Sequence, residues 1–291
     1  MDKYIGVDIG KTKIAIGIFS EQCEVLSEIR LATPKNAEEI LNILKEQIKN
    51  ILLTKKENIK GIGIASMGVV DSINGIIIGS KSLKNYKDIE LVKIMENEFN
   101  IPTFIENDIK AASICEIGDY EGINSYIGIG TSMDVSTVID GRILYGDMRL
   151  AGMVSYFRDL YSDYIIDDYI AGRGIAKRIS KAKGIEISTE QFFLLLKGKD
   201  ADAINIYTEA LKCMVNLLKW INVILNPKKI VIGGGVITKQ QKFFEDIKNE
   251  YIKNISNDPF NMGKAILEKS KYGEQSTMIG ACKLCLLNSK K

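Results

Sequence analysis

Residues Tyr4–Phe19 read YIGVDIGKTKIAIGIF. Apolar residues run to Val7, give way to Asp-Ile-Gly-Lys-Thr-Lys and resume at Ile14, which predicts two strands joined by a short glycine-containing turn. The turn also offers chemistry. Gly10 lets a ligand approach the backbone, while Lys11, Thr12 and Lys13 add N–H groups, a hydroxyl and two positive charges. Such a tip can cradle polyphosphate, and Asp8 at the strand end can hold Mg²⁺ through its waters. An ordinary hairpin with a charged turn would read the same way, so the decision falls to the rest of the chain.

Composition narrows the choice. At 291 residues the chain can make two domains or one large one. A hydrophobic content of 46% with 26% charged residues is that of a soluble globular protein. The net charge of +2, with no basic run, offers no surface for nucleic acid or an acidic membrane. No apolar run reaches the roughly 18 residues of a spanning helix; Leu211–Leu225 is interrupted by Lys212, Asn216, Lys219 and Asn222. The first strand begins too early for a signal peptide. The five scattered cysteines fit reduced thiols, and a cytoplasmic location is expected. Cys282-x-x-Cys285 lacks a second ligand pair and reads as buried small residues. Histidine is absent, which excludes Ser-His-Asp triads, His-ligated metals and histidine acid–base chemistry. A general base must then be a carboxylate, Lys, Cys or Tyr.

Along the chain, CEVLSEIRLAT predicts a third strand, and Asn36-x-x-Glu39 a capping box opening a helix with Ile40, Leu41, Leu44, Ile48 and Ile51 on one face. GIGIASMGVVD is a buried strand entering a loop, and Asn74-Gly75 a hairpin turn. A helix over Leu91–Phe99, a strand over Pro102–Ile105 and a helix from Ile109 follow. A second unit starts near Ser125, again with strand, turn and strand, its hairpin centred on Asp140-Gly141. Helices are expected over Tyr164–Lys183, Thr189–Leu196, Gln240–Ile252 and Thr277–Leu287. Ala203–Leu225 is apolar nearly all round and expected to be buried. Pro227 then precedes the buried strand KKIVIGGGVI. Two α/β units opening alike suggest internal duplication with a cleft between the halves.

Glu106-Asn107-Asp108 sits where a strand meets a helix. Asp108 could simply cap that helix. Its functional alternative is a base that accepts the proton of an attacking hydroxyl, kept ionised by the helix N-terminus, with Asn107 bonding a neighbouring hydroxyl. Gly128-Ile129-Gly130-Thr131-Ser132 repeats the strand–turn theme as a second phosphate-facing loop. Gly233-Gly234-Gly235 would let a nucleoside pack on the backbone, or would make a tight strand-to-helix turn. Glycine loops at three strand ends together with Asn-Asp, in this order, seldom arise from packing needs alone.

The order D-x-G-x-T, Gly61-x-Gly63 leading to Gly68-Val69-Val70-Asp71, Asn107-Asp108 before Ala111-Ala112, Gly130-Thr131, Pro227 with Gly233-Gly234-Gly235, and Ile279-Gly280-Ala281 resembles the ROK family of repressors, open reading frames and sugar kinases over essentially the whole chain. The resemblance implies the actin-like ATPase (ribonuclease H-like) fold, an α/β architecture of two lobes about an interlobe cleft. Residues 1–118 would form the first lobe and 119–291 the second, the last helix returning to the first. It implies ATP- and Mg²⁺-dependent phosphorylation of a hexose hydroxyl, with Asp108 as catalytic base and Asn107 on the sugar. Ser66 and Gly68 would join the sugar side. Asp8, Gly10, Lys11, Thr12, Lys13, Gly130, Thr131 and Ser132 would face phosphates, and Gly233–Gly235 adenosine. A homodimer is also implied.

Departures from the family pattern carry information. Where the family has G-E-x-G-H, whose Glu and His contact the sugar while the His also binds zinc, this chain has Gly152-Met153-Val154-Ser155-Tyr156. The zinc-binding Cys-rich segment is replaced by FRDLYSDYII, without cysteine, so no zinc site is expected. A later sugar-contacting Glu aligns with Asp167. Met153 and Tyr156 would fill the pocket wall, or simply pack in the core. Ser132 and Asp134 stand where the family has glycines; Asp134 would repel phosphate unless it turns away or helps hold Mg²⁺. The expected reaction is phosphorylation of N-acetylmannosamine in sialic acid breakdown, since the chain resembles the zinc-lacking N-acetylmannosamine kinases. Glucokinase or fructokinase activity and a non-catalytic sugar-binding relic are the alternatives. A repressor would need an N-terminal DNA-binding helical module, for which the early first strand leaves no place.

Overall fold

The structure is a computed structural model that describes residues 2–55, 58–80, 83–158, 164–255 and 264–288, apart from the side chains of residues 55 and 156. The chain divides into two units, one made of Met1–Gly118, Tyr145–Ala151 and Gln275–Lys291, the other of Asp119–Leu144 and Gly152–Glu274.

The first unit opens with strands β1 (Lys3–Ile9), β2 (Lys13–Phe19) and β3 (Val25–Ala32), followed by helix α1 (Ala37–Lys55) and strand β4 (Ile59–Ser66). A small antiparallel sheet of β5 (Val69–Asp71), β6 (Ile76–Gly79) and β7 (Lys87–Ile89) precedes helix α2 (Leu91–Phe99), strand β8 (Thr103–Asn107) and helix α3 (Asp108–Ile117). The main sheet has the order β3-β2-β1-β4-β8, its first pairings antiparallel and those of β1 with β4 and β4 with β8 parallel. Half of the expected capping box is present: Asn36 Oδ1 accepts from Glu39 N at 3.0 Å, while Glu39 Oε1 accepts from the Asn36 side-chain Nδ2 at 2.6 Å where a full box would engage the Asn36 backbone N–H.

Strand alternation decides what the sheet faces see. Ile5, Val7 and Ile9 pack in a cluster with Ile40, Leu44 and Ile48 of α1 and Leu91 and Met95 of α2. Tyr4 points the other way, into a cluster with Cys115 of α3 and Met278, Ile279, Cys282 and Cys285 of the C-terminal helix Ser276–Asn288. That parity puts Asp8 on the face covered by these two helices. Small residues let them lie close: a Cβ at Gly63 would stand 1.8 Å from Ala281 O, and one at Gly280 1.8 Å from Ala111 O. The Cys282-x-x-Cys285 pair is buried here. A hydrogen bond with Cys23 and burial push the Cys282 thiol up, and burial does the same to Cys285, so both stay protonated and unreactive.

The second unit repeats the pattern. Strands β9 (Ile123–Ile129), β10 (Met133–Ile139) and β11 (Arg142–Ile143), with β12 (Lys229–Gly233) and β13 (Ile266–Lys269), make a sheet of order β11-β10-β9-β12-β13 with the same antiparallel and parallel pairings. Asp140 and Gly141 take φ of 47° and 77°, as a two-residue turn between twisted strands requires. The helices are α4 (Ile166–Ile170), α5 (Gly172–Lys183), α6 (Thr189–Lys197), α7 (Ala201–Leu225), α8 (Gly235–Lys239) and α9 (Gln241–Ile255), and the helix Ser276–Asn288 of the first unit is α10.

Two expectations need correction. The helix expected over Tyr164–Lys183 is broken at Ala171, whose ψ of 152° is extended. There Gly172 N and Arg173 N donate to Gly130 O and Thr131 O instead of continuing a helix. Helix α7 is not buried all round, because Trp220, Val223 and Ile224 are exposed, Trp220 meeting Phe157 edge-on at 5.2 Å. Among the described residues no helix is long and apolar enough to cross a membrane.

Candidate active site

Parallel strands β1, β4 and β8 end together in the first unit. Asp8 is opposite Ala65, Ala65 opposite Glu106, and Ser66 opposite Asn107. Carboxyl ends of adjacent parallel strands are where open α/β sheets gather ligand groups. Asp8, Ser66, Asn107 and Asp108 are thereby brought together, and Gly68 joins them through its carbonyl, which accepts from Asn107 Nδ2 at 2.9 Å.

Helix α3 is capped by Asn107, not by Asp108. Asn107 Oδ1 accepts from Ile109 N at 3.1 Å and from Lys110 N at 3.3 Å. Asp108 is left as the first helical residue, its Oδ1 taking Ile109 N at 2.9 Å and Asn107 Nδ2 at 3.0 Å. The expectation that the helix end keeps Asp108 ionised is overturned. Burial, followed by the charge of Asp8, raises its pKa to about 7, and these outweigh the backbone and Asn107 hydrogen bonds that pull it down. Ser66 Oγ lies 2.8 Å from the Tyr86 hydroxyl. Burial is the main cause holding that phenol well above its usual range, and the Asp108 charge adds to it.

The tip of the first hairpin is closed by Gly10 N donating to Lys13 O at 3.0 Å. Thr33 braces it from β3's end, with Oγ1 on Gly10 O at 2.7 Å and N on Thr12 O at 3.2 Å. Thr12 is exposed and Gly10, Lys11 and Lys13 are half-buried. The cradle is therefore held rigid from beneath by a threonine that sequence reasoning passed over.

In the second unit the Gly130–Ser132 turn joins β9 to β10, with Gly130 N on Ser132 O at 2.9 Å. The carbonyls of Gly130 and Thr131 point at the first amides of α5. Asp134 accepts from Ser155 N at 3.1 Å, so its carboxylate is turned to the Val154–Tyr156 3₁₀ turn. Gly234 has φ of 90°, and a Cβ there would stand 2.5 Å from Ile129 O; only glycine suits both demands. It caps α8 after β12, the tight strand-to-helix turn weighed from sequence.

Asp167 has a task of its own. At 2% exposure, its Oδ1 accepts from Met133 N and its Oδ2 from Arg173 Nη2, both at 2.9 Å. Both oxygens are thus engaged in holding β10 to α5, which does not favour the sugar contact expected of it. Met153 is half-buried just before the 3₁₀ turn. The Tyr156 side chain, and residues 159–163 of the segment that replaces the Cys-rich one, lie outside the described residues.

Among the described residues no cluster of three or more His, Cys, Asp and Glu side chains is arranged to hold a metal. Asp8 and Asp108 nonetheless repel each other, and a carboxylate pair of that kind fits a hydrated Mg²⁺, which takes one or two carboxylates plus phosphate oxygens.

The sequence matches the family profile described as "ROK family" over residues 4–155 and 164–287. The chain is 25% identical over 315 residues to an N-acetyl-D-glucosamine kinase of Photobacterium profundum, covering 99% of this chain and 100% of that one. A Streptomyces griseus ROK family glucokinase solved with glucose and AMPPNP superposes with a TM-score of 0.83 at 20% identity, over 97% of this chain and 98% of that one. A Listeria monocytogenes protein described as a candidate N-acetylmannosamine kinase gives 0.84 at 21%, over 99% and 100%. The chain belongs to the ROK family, and its fold is the actin-like ATPase fold expected from the motifs.

Proposed function

We propose that this member of the ROK family is an ATP-dependent sugar kinase that uses Asp108 to phosphorylate the primary hydroxyl of a hexose. The observation that carries the proposal is that the carboxyl ends of β1, β4 and β8 bring Asp8, Ser66 and Asn107 together with Asp108. Relieved of capping by Asn107 and raised to about 7, Asp108 is poised near neutrality, where a general base is most effective. Its carboxylate takes the hydroxyl proton as the oxygen attacks the γ-phosphorus in line with the departing ADP.

Around that step each group has a part. The braced tip Gly10–Lys13 presents amides, Thr12 and two ammonium groups to the phosphates. Asp8 would hold Mg²⁺, which when bound would supply charge neutralisation on the phosphate oxygens. Asn107 and the Gly68 region align the sugar, so that the reacting oxygen meets Asp108. Gly233–Gly235, in the second unit, would be the segment that faces adenosine. No zinc is required, since Tyr156 stands where the family's zinc-binding His would, and the segment that replaces the family's Cys-rich one has no cysteine.

We propose N-acetylmannosamine as the hexose, in the cytoplasmic breakdown of sialic acid. The Met153 side chain can meet an acetamido methyl where family members present a carboxylate, and a structural neighbour is described as a candidate N-acetylmannosamine kinase. Glucose, fructose and N-acetylglucosamine are the competing substrates. A coupled ADP-release assay across N-acetylmannosamine, N-acetylglucosamine, glucose, mannose and fructose tests both levels. Turnover on N-acetylmannosamine is expected. Turnover on another hexose alone removes the substrate assignment, and binding without turnover on all of them removes the kinase.

A further inference from the structure

Tyr145–Ala151 belong to the first unit, although the residues on either side of them in sequence belong to the second. The excursion is tight: Arg149 N donates to Gly146 O at 3.2 Å and Ala151 N to Tyr145 O at 3.0 Å. Arg149 takes φ of 57°, a left-handed conformation that a long side chain adopts only when its surroundings hold it there.

What holds it is a buried carboxylate. Glu106 is 1% exposed, and such a group is tolerated only when it is paired and hydrogen-bonded. Its Oε2 accepts from the Tyr145 hydroxyl at 2.6 Å and from Ser72 Oγ at 3.0 Å. Arg149 Nη2 donates to the same Ser72 hydroxyl and stands 3.7 Å from Glu106 Oε2. The guanidinium lies over the Tyr145 ring, 3.7 Å from its centre. Lys110 Nζ, two residues beyond Asp108, donates to Arg149 O. Burial and Glu106 push the Tyr145 phenol well above its usual range, so it remains a donor.

The other oxygen of Glu106 connects this assembly to the chemistry. Oε1 accepts from Asn107 N at 2.8 Å, fixing the peptide whose side chain caps α3 and bonds Asp108. We propose that Tyr145 and Arg149 are positioning residues for phosphoryl transfer, acting through Glu106 to set the Asn107 peptide and with it the direction of the Asp108 carboxyl. The proposal rests on the kinase reading above. Neither residue has to touch substrate, so their effect should fall on kcat and not on KM, as a misdirected base slows chemistry without loosening binding.

The test is a double-mutant cycle in steady-state kinetics on the best hexose. Tyr145→Phe removes only the hydroxyl and is expected to lower kcat about tenfold, with KM for sugar and ATP near the wild-type values. In a Glu106→Ala background the same change is expected to add nothing. Unchanged kcat in Tyr145→Phe, a loss carried in KM, or a full second loss in the Glu106→Ala background would each overturn the positioning role. If Glu106→Ala does not fold, Arg149→Lys against Arg149→Ala replaces the cycle. Lysine should restore most of the kcat lost with alanine, and equal losses overturn the role. Wild-type protein silent on every hexose would overturn the kinase reading and this one with it. Active wild type with an unimpaired Tyr145→Phe overturns this one alone.

Discussion

Asp108→Asn keeps the size of the side chain and its Oδ1 acceptor, so the bonds from Ile109 N and Asn107 Nδ2 can persist while the charge is removed. The free protein should gain stability from this, by an amount set by pH. Asp108 rises from 3.8 to about 7 on folding, and at 1.36 kcal/mol per pKa unit that places roughly 4 kcal/mol against the ionised form. Because the folded pKa lies above the unfolded one, the folded state binds the extra proton between those values. Wild-type stability therefore falls as pH climbs from 3.8 to about 7 and levels off above. Asparagine has nothing to titrate. The two proteins should be nearly equal at about pH 4, and the variant should be ahead by roughly 2–4 kcal/mol at about pH 8. Urea unfolding at several pH values, without nucleotide or divalent metal, reads this directly. A gap that does not widen with pH, or a variant less stable than wild type at pH 8, would refute the electrostatic reasoning.

The same shift should appear in turnover. On its acid side, kcat/KM should rise with pH to a plateau with a midpoint of about 7, because only ionised Asp108 accepts a proton; a flat profile there would remove it as the base. Asp108→Asn should lower kcat by roughly two to four powers of ten while the protein stays folded by circular dichroism, and an unchanged rate would remove Asp108 from the mechanism. Gly280→Ala would push a Cβ to 1.8 Å from Ala111 O, forcing α10 off α3 at a cost of about 1–3 kcal/mol or more; an unshifted urea midpoint would mean that the helices do not pack this closely. Mild zinc chelation should leave unfolding and turnover unaffected, and loss of either would show a structural metal.

Where local chemistry dictates structure, the sequence was readable. The hairpin of β1 and β2, the Asn36 cap of α1 and the positive φ at Asp140 and Gly141 all follow from residues within a few positions of one another. Strands β7 and β13 were missed because KDI and ILEK are short and polar at the ends, and only pairing to β6 and β12 makes strands of them. The break at Ala171 was invisible for a related reason: a Cβ at Gly174 would stand 2.3 Å from Asp167 O, a packing demand rather than a propensity. At the site, Asp8, Asn107 and Asp108 could be named from their motifs, but their condition could not. A helix start argues for an ionised aspartate, and against it stand burial and the Asp8 carboxylate, 100 positions away in the chain. Which effect wins depends on how much water the fold leaves around the group, and that is settled by the strands and helices that close over it. For the same reason Tyr145 and Arg149 gave no sign of themselves. Their connection to Asp108 runs through Glu106, a charge at the end of an apolar strand. A buried carboxylate just before Asn-Asp needs a cation beside it, and in this protein that cation comes from a segment whose neighbours in sequence belong to the other unit.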